Sequence, residues 1–279
     1  MAPKYRLLAL DVDGTLVGRD NIVPPDVAAA VGAAEAAGIR IVLATGRSYV
    51  ETVGVWRQLG LKEPFEPMVL IGGALVSEAH SGRTLWQQPI PRAVAVEFSN
   101  ALGDAGYSAM AILDVWRHGV EYIVAEHGRG DEAHRLWFSK MNVKVHRVER
   151  IAEAPEMPDP LRISAVVEST DAAAVSERLR EQFHGRLTVH AILAPNYGVT
   201  IVESFAPGVS KFTAVQYVAQ AYRIGPGQIA AVGDDVNDLE LIRKVGLGVA
   251  MPNGSPMLIA EADQVAENGL AAFIRELVE

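Results

Sequence analysis

The sequence predicts an α/β domain built on a parallel sheet and interrupted in the middle by a second, α+β domain. Three features point there. Five short runs are apolar almost throughout, as strands covered on both faces are. Alanine-rich segments that stop at glycine lie between them. Between about Leu85 and Val202 the pattern changes to alternating runs, as in an antiparallel sheet backed by helices.

Residues 6–12 read R-L-L-A-L-D-V, a strand that is apolar until it meets Asp11. The other runs are I-R-I-V-L-A at 39–44, M-V-L-I at 68–71, I-A-A-V at 229–232 and L-G-V-A-M at 247–251. Pro24-Pro25-Asp26 opens a helix that runs to Ala37 and stops at Gly38. A second helix spans 48–59, ended by Gly60, and a third spans 210–222 with Ser210 as its cap. Strand, helix, strand with glycine stops is the signature of parallel crossovers. In the middle, 107–113, 162–167, 187–193 and 199–202 read as half-covered strands, with helices over 91–102 and 171–183. A-P-E-M-P-D-P at 154–160 reads as a loop. This layout places one domain at 1–84 and 204–279 and the inserted one at 85–203.

Composition bounds the function. The 279 residues exceed one typical domain, and 49% hydrophobic content with mean hydropathy +0.15 is ordinary for a globular chain. Acidic residues number 34 against 25 basic, a formal charge of −9 with no basic patch, which argues against nucleic acid as a partner. With no cysteine, disulfides, cysteine-bound zinc, iron–sulfur clusters and thiol nucleophiles are excluded. No apolar run reaches the roughly 18 residues of a membrane span. The start lacks the signal-peptide pattern, so a soluble cytoplasmic protein is expected.

Four constellations sit at the ends of core strands, where open parallel sheets bind ligands. Asp11-Val12-Asp13-Gly14-Thr15-Leu16 brings two carboxylates off an apolar strand, a costly place for charge unless a cation or ligand compensates it. Thr45-Gly46-Arg47 joins a hydroxyl, a turn and a helix start. Alone it fits either an anion site or a strand cap. Lys211 opens a helix, against the helix dipole, as suits an ammonium that must reach a phosphate. Taken singly it fits an exposed surface lysine as well. Gly233-Asp234-Asp235-Val236-Asn237-Asp238 crowds three carboxylates and an amide into one loop, where they repel unless a divalent cation sits among them. Oxygen ligands without a His or Cys cluster point to Mg²⁺.

Together, D-x-D-G-T-L, T-G-R, a lone lysine and G-D-x-x-N-D, in that order, resemble the four motifs of the haloacid dehalogenase (HAD) superfamily of aspartate-nucleophile phosphohydrolases. The insertion between the second and third motifs resembles a C2-type (IIB) cap. T-G-R, V-S-K at 209–211, G-D-D-V-N-D followed by G-V-A-M, and the late Asn268 resemble the Cof-type branch. The resemblance implies a Rossmann-like core with an inserted cap domain and a Mg²⁺-dependent phosphatase of small phosphate monoesters, sugar phosphates first. Asp11 would be the nucleophile. Asp13 would be the acid that protonates the leaving alcohol, and then the base for the hydrolytic water. Asp11, Asp13, Asp234 and Asp238 would hold the metal, Asp13 through its backbone carbonyl. Thr45, Gly46, Lys211 and Asn237 would bind phosphate, with Asn237 positioning either phosphate or Lys211. Arg47 and Gly73 are candidate substrate-binding residues, and Arg47 fits a local salt bridge equally well. Asp235 is given no catalytic role. Two departures stand out. Gly72-Gly73-Ala74 replaces the branch's usual Asn-Gly-Ala, and Pro252-Asn253-Gly254 replaces its Gly-Asn-Ala.

The expected partner is a small phosphorylated metabolite, on a monomer or homodimer. In the inserted region Trp116-Arg117-His118-Gly119 lies between two hairpin strands. Trp116 is read as cap core, with a loop that reaches substrate as the alternative. Arg135, Lys140 and Lys144 are read as solvent-facing, and none of the seven histidines has metal-ligand spacing. A phosphomutase or a phosphoglycolate-type specific phosphatase is the alternative function. A non-catalytic scaffold would have lost some motif residue, and a dehalogenase has no use for the second aspartate and the metal loop.

Overall fold

The computed structural model describes residues 3–62, 66–126, 128–139, 141, 143–154, 157–194 and 199–279. The chain divides into two compact units, Met1–Trp86 with Ser210–Glu279, and Gln87–Val209. It opens with β1 (Leu7–Leu10), α1 (Pro25–Ala36), β2 (Arg40–Leu43), α2 (Tyr49–Gln58), β3 (Pro67–Leu70), β4 (Leu75–Glu78) and β5 (Thr84–Gln87). The inserted unit carries α3 (Arg92–Asp104), β6 (Met110–Ile112), α4 (Val115–His118), β7 (Tyr122–Ala125), α5 (Asp131–Phe138), β8 (Val145–Val148), β9 (Arg162–Val167), α6 (Ser169–Gln182), β10 (Thr188–Ala194) and β11 (Val199–Phe205). The first unit resumes with α7 (Lys211–Ala221), β12 (Ile229–Gly233), α8 (Leu239–Lys244), β13 (Leu247–Ala250), α9 (Pro256–Glu261), β14 (Gln264–Val265) and α10 (Leu270–Val278).

The core sheet has the order β14-β13-β12-β1-β2, parallel throughout. Leu7, Leu8, Ala9 and Leu10 are all fully buried, as a strand covered on both faces requires. On α7, Phe212, Val215, Val218 and Ala219 fall on one face by helical spacing, and they pack with Leu7, Ala9, Val42, Ile229 and Ala231. The run at 68–71 is a strand but not a full member of this sheet. Among the described residues β3 joins it through the parallel bridge Ala44↔Val69 alone, and it pairs antiparallel with β4, with β5 beyond.

The inserted unit is a six-stranded sheet, β10-β11-β9-β6-β7-β8. Its pairs are antiparallel except β7 with β8, which run parallel because the connection through α5 is long enough to cross over. The expected strand over 107–113 contracts to Met110–Ile112. α3 and α6 meet through Phe98 and Phe183, ring centroids 5.1 Å apart. Trp116 is not cap core. It is 53% exposed on α4, a single turn too short to bury a face, capped by Asp114. Arg135 pairs with Asp131 and Glu126, and Lys144 is exposed, whereas Lys140 and His127 lie outside the described residues.

His134 of α5 is fully buried against Phe138, and neither ring nitrogen has a hydrogen-bond partner among the described residues. Burial pushes its pKa down to about 4, with Asp131 opposing and Arg147 adding to the shift. Between pH 6.5 and 4 the unfolded chain therefore binds a proton that the folded one refuses. Stability present above pH 6.5 falls as pH drops towards 4, by on the order of 3 kcal/mol. Urea unfolding at pH 7 and pH 5 checks this: the His134→Leu variant is expected to lose the part that falls in that window, about 2 kcal/mol, and an unchanged pH 7 to pH 5 difference would refute it.

Candidate active site

The site grows from the sheet order. β1 lies between β2 and β12, so the loops after these three strands leave the same sheet edge side by side. Asp11 follows β1 and is 5% exposed, Thr45 follows β2 and is fully buried, and Asp234 follows β12 and is half-buried. The turn after Asp11 brings Gly14 (φ 77°) so close to the β12 loop that a Cβ there would sit 2.0 Å from Asp234 Oδ2. Only glycine allows both the backbone conformation and the approach.

α7 supplies the cation. Ser210 caps it, its hydroxyl accepting from the Thr213 N–H at 3.2 Å while its own N–H donates to Thr213 Oγ1 at 3.1 Å. Lys211 is then the first helical residue and is 1% exposed, which excludes a surface lysine. Its ammonium donates to Asp11 Oδ1 at 2.6 Å and to Asp238 Oδ1 at 2.7 Å. The other Asp238 oxygen accepts from the backbone N–H groups of Asp234 and Asp235, at 3.3 and 3.4 Å. Asp235 serves as a cap, accepting from the Val236 N–H at 2.7 Å.

One carboxylate oxygen from each of Asp11, Asp234 and Asp238 lies within 4.8 Å of the others. Three carboxylates against one ammonium leave two negative charges in a buried place. Burial raises the Asp11 pKa well above the usual range, Lys211 opposing and Asp238 and Asp234 adding. Burial, then Asp238, pushes Asp234 up to about 7. Burial lowers the Lys211 pKa, and Asp11 and Asp238 more than reverse this, so the ammonium stays charged. A divalent cation supplies the two missing charges, and an all-oxygen donor set suits a hard one. The residues present therefore fit a divalent metal.

The Asp13 carboxylate, the expected acid and base, is outside this cluster and 61% exposed. Arg47 holds it with a two-pronged ion pair, Nε to Oδ2 at 2.8 Å and Nη2 to Oδ1 at 2.5 Å. The local salt bridge, one of the two alternatives for Arg47, is thus present. Thr45 Oγ1 accepts from the Arg47 N–H at 3.2 Å. Gly46 is half-buried with open space where a Cβ would point. Asn237 is half-buried in the β12 loop, and it is Asp238, with Asp11, that holds the Lys211 ammonium. Gly73, a candidate for substrate, is buried against the backbone of Ser210 and Lys211.

Two contacts were not foreseen, although Asn253 keeps the Asn of the branch's Gly-Asn-Ala. Asn21 accepts from Arg47 Nη2 at 2.6 Å, and Asn253 donates to the Gly14 carbonyl at 3.2 Å. Each is a lone amide in a loop, and only the fold gives it a partner.

Comparison with known proteins agrees with this geometry. The 5-amino-6-(5-phospho-D-ribitylamino)uracil phosphatase YitU of Bacillus subtilis is 26% identical, covering 99% of this chain and 98% of the relative. A phosphoglycolate phosphatase of Natronomonas pharaonis is 25% identical, covering 98% and 96%. A HAD/COF-like hydrolase of Plasmodium vivax shares the fold with a TM-score of 0.79 at 23% identity, covering 99% of this chain and 96% of that one. The haloacid dehalogenase-like hydrolase family matches residues 8–274, the insertion included, and the chain belongs to that family.

Proposed function

We propose that the chain is a Mg²⁺-dependent phosphatase of small phosphate monoesters, sugar phosphates first among them, working through a phospho-aspartate on Asp11. The observation that carries this is the buried cluster in which the Lys211 ammonium joins Asp11 to Asp238 beside Asp234. An anionic nucleophile approaches an anionic phosphoryl group only where positive charge neutralises the field between them.

An Asp11 oxygen attacks phosphorus as the bond to the leaving oxygen breaks. Asp13, at the exposed end of the D-x-D turn, must leave its ion pair with Arg47 and take up a proton before it donates one to that oxygen. Asp13 then takes a proton from the water that attacks the phospho-aspartate, which restores the Asp11 carboxylate and frees phosphate. Lys211 and Thr45 hold the phosphoryl oxygens, with Gly46 and Asn237 beside them. Asp11, Asp234 and Asp238 would hold the metal, with the Asp13 backbone carbonyl as a further ligand. When bound, Mg²⁺ neutralises phosphoryl charge and orients the group for in-line attack.

The relatives support the substrate class. One is named for a phosphorylated ribityl chain and the other for phosphoglycolate. What these share is a phosphate monoester on a short oxygenated carbon skeleton.

Released phosphate from a panel of sugar phosphates, phosphoglycolate, glycerol phosphates and nucleotides, ranked by kcat/KM, tests the assignment. Sugar phosphates are expected to lead. A single peak on phosphoglycolate would overturn the sugar preference, and an isomer formed from a hexose 1-phosphate without free phosphate would make the protein a mutase. Asp11→Asn is expected to cut turnover by at least about 10³-fold, a nucleophile's share, while leaving the folded far-ultraviolet spectrum intact; residual wild-type turnover would rule out the phospho-aspartate. Chelation by EDTA should abolish phosphate release and added Mg²⁺ restore it, measured on the same sample, with EDTA-resistant turnover counting against the metal assignment.

A further inference from the structure

Between Leu70 and Ala74 the backbone takes three successive positive φ values: 50° at Ile71, 63° at Gly72 and 101° at Gly73. A β-branched residue in the left-handed region is strained and persists only where its surroundings fix it. Here one flank of the turn is sewn to the T-G-R loop. The Ile71 N–H donates to the Arg47 carbonyl at 2.9 Å, and the Gly72 N–H donates to the Thr45 carbonyl at 3.0 Å. Thr45 is tied in turn by its own N–H, which donates to the Val69 carbonyl at 2.9 Å.

The other flank is Gly73, pressed onto the first peptide of α7. A Cβ at Gly73 would lie 2.1 Å from the Ser210 oxygen, 2.4 Å from its carbonyl carbon and 2.9 Å from the Lys211 nitrogen. These are backbone atoms, and the Ser210 oxygen is already engaged, accepting from Thr213 Oγ1 at 3.0 Å and from the Ala214 N–H at 3.3 Å. They can make room only if the helix start moves.

We propose that the Ile71–Ala74 turn is a spacer that sets the reach of Lys211, and that Gly73 is a positioning residue for its ammonium. A methyl group at Gly73 drives the start of α7 back by about 1 Å, the difference between 2.1 Å and the 3.0 Å floor of real contacts. The ammonium, at 2.6 and 2.7 Å from its two carboxylates, then leaves hydrogen-bond range of at least one of them. The catalytic consequence rests on the phosphate-holding role proposed for Lys211. The placement itself does not.

Two readouts on the full chain separate these. Acetic anhydride labelling followed by peptide mass spectrometry reports how protected the Lys211 amine is, and p-nitrophenyl phosphate turnover with Mg²⁺ reports kcat and KM. Gly73→Ala is expected to raise Lys211 labelling about tenfold through local opening and to lower kcat by about 10²-fold, as a 1 Å misplacement does. Gly60→Ala is the control, because Gly60 has φ 62° and open space around its Cβ position, so it carries the backbone strain without the contact. Its labelling and kcat should stay at wild-type values. If Gly73→Ala does not fold, Ile71→Gly, which loosens the turn, takes its place with the same direction expected. Lys211 as protected as in wild type, in whichever variant folds, overturns the proposal. Raised labelling with unchanged turnover upholds the spacer and removes Lys211 from phosphoryl transfer.

Discussion

The buried Lys211 ammonium is the constraint on which the rest depends. A charge that is 1% exposed must be paired, and its partners stand 200 and 27 residues away in sequence, Asp11 and Asp238. Meeting both requires the ends of β1 and β12 to lie side by side with the start of α7 against them. The apolar pattern does not fix this alone. β1 and most of β12 are apolar on both faces, so a register slip would not move a polar side chain into the core from within the strands. It would pull Asp11 away from Lys211 and leave buried charge unpaired. The polar ends thus supply the register information that the strands lack, and the observed pairing Leu10↔Val232 is the one that brings Asp11 to its partner.

This explains what was legible in the sequence. Charge at the end of an apolar strand is costly, so Asp11 and the Asp234–Asp238 loop stand out without a structure, and the glycine-stopped helices between the strands give the α/β order. What was not legible depends on partners through space. Nothing in M-V-L-I says that β3 touches the core sheet by one bridge and turns back on β4. Parallel pairing of β7 with β8 depends on a connection whose helix, Asp131–Phe138, is too short and too charged to announce itself. The Asp13 carboxylate pairs with Arg47 rather than joining the acidic cluster, although Asp13 is two residues from Asp11, because alternate residues at a strand end diverge once the backbone turns at Gly14. The contact of Gly73 with α7 is not legible either, because a glycine's sequence context does not show whether its missing side chain leaves space for a ligand or for a neighbouring backbone.

The position of the insertion follows from the same constraint. The chain leaves the first unit after Trp86 and returns at Ser210, one residue before the lysine on which the site depends. An insertion there threatens the cluster unless α7 is held by its own unit. Besides the packing of its apolar face on the core sheet, two contacts hold it. Gly73 meets its first peptide, and further along Tyr217 stacks on Trp86 at 5.5 Å while its hydroxyl donates to the Leu85 carbonyl at 3.4 Å. The departing strand and the returning helix are therefore fastened to each other inside the first unit. Gln87 to Val209, 123 residues, lie outside this fastening.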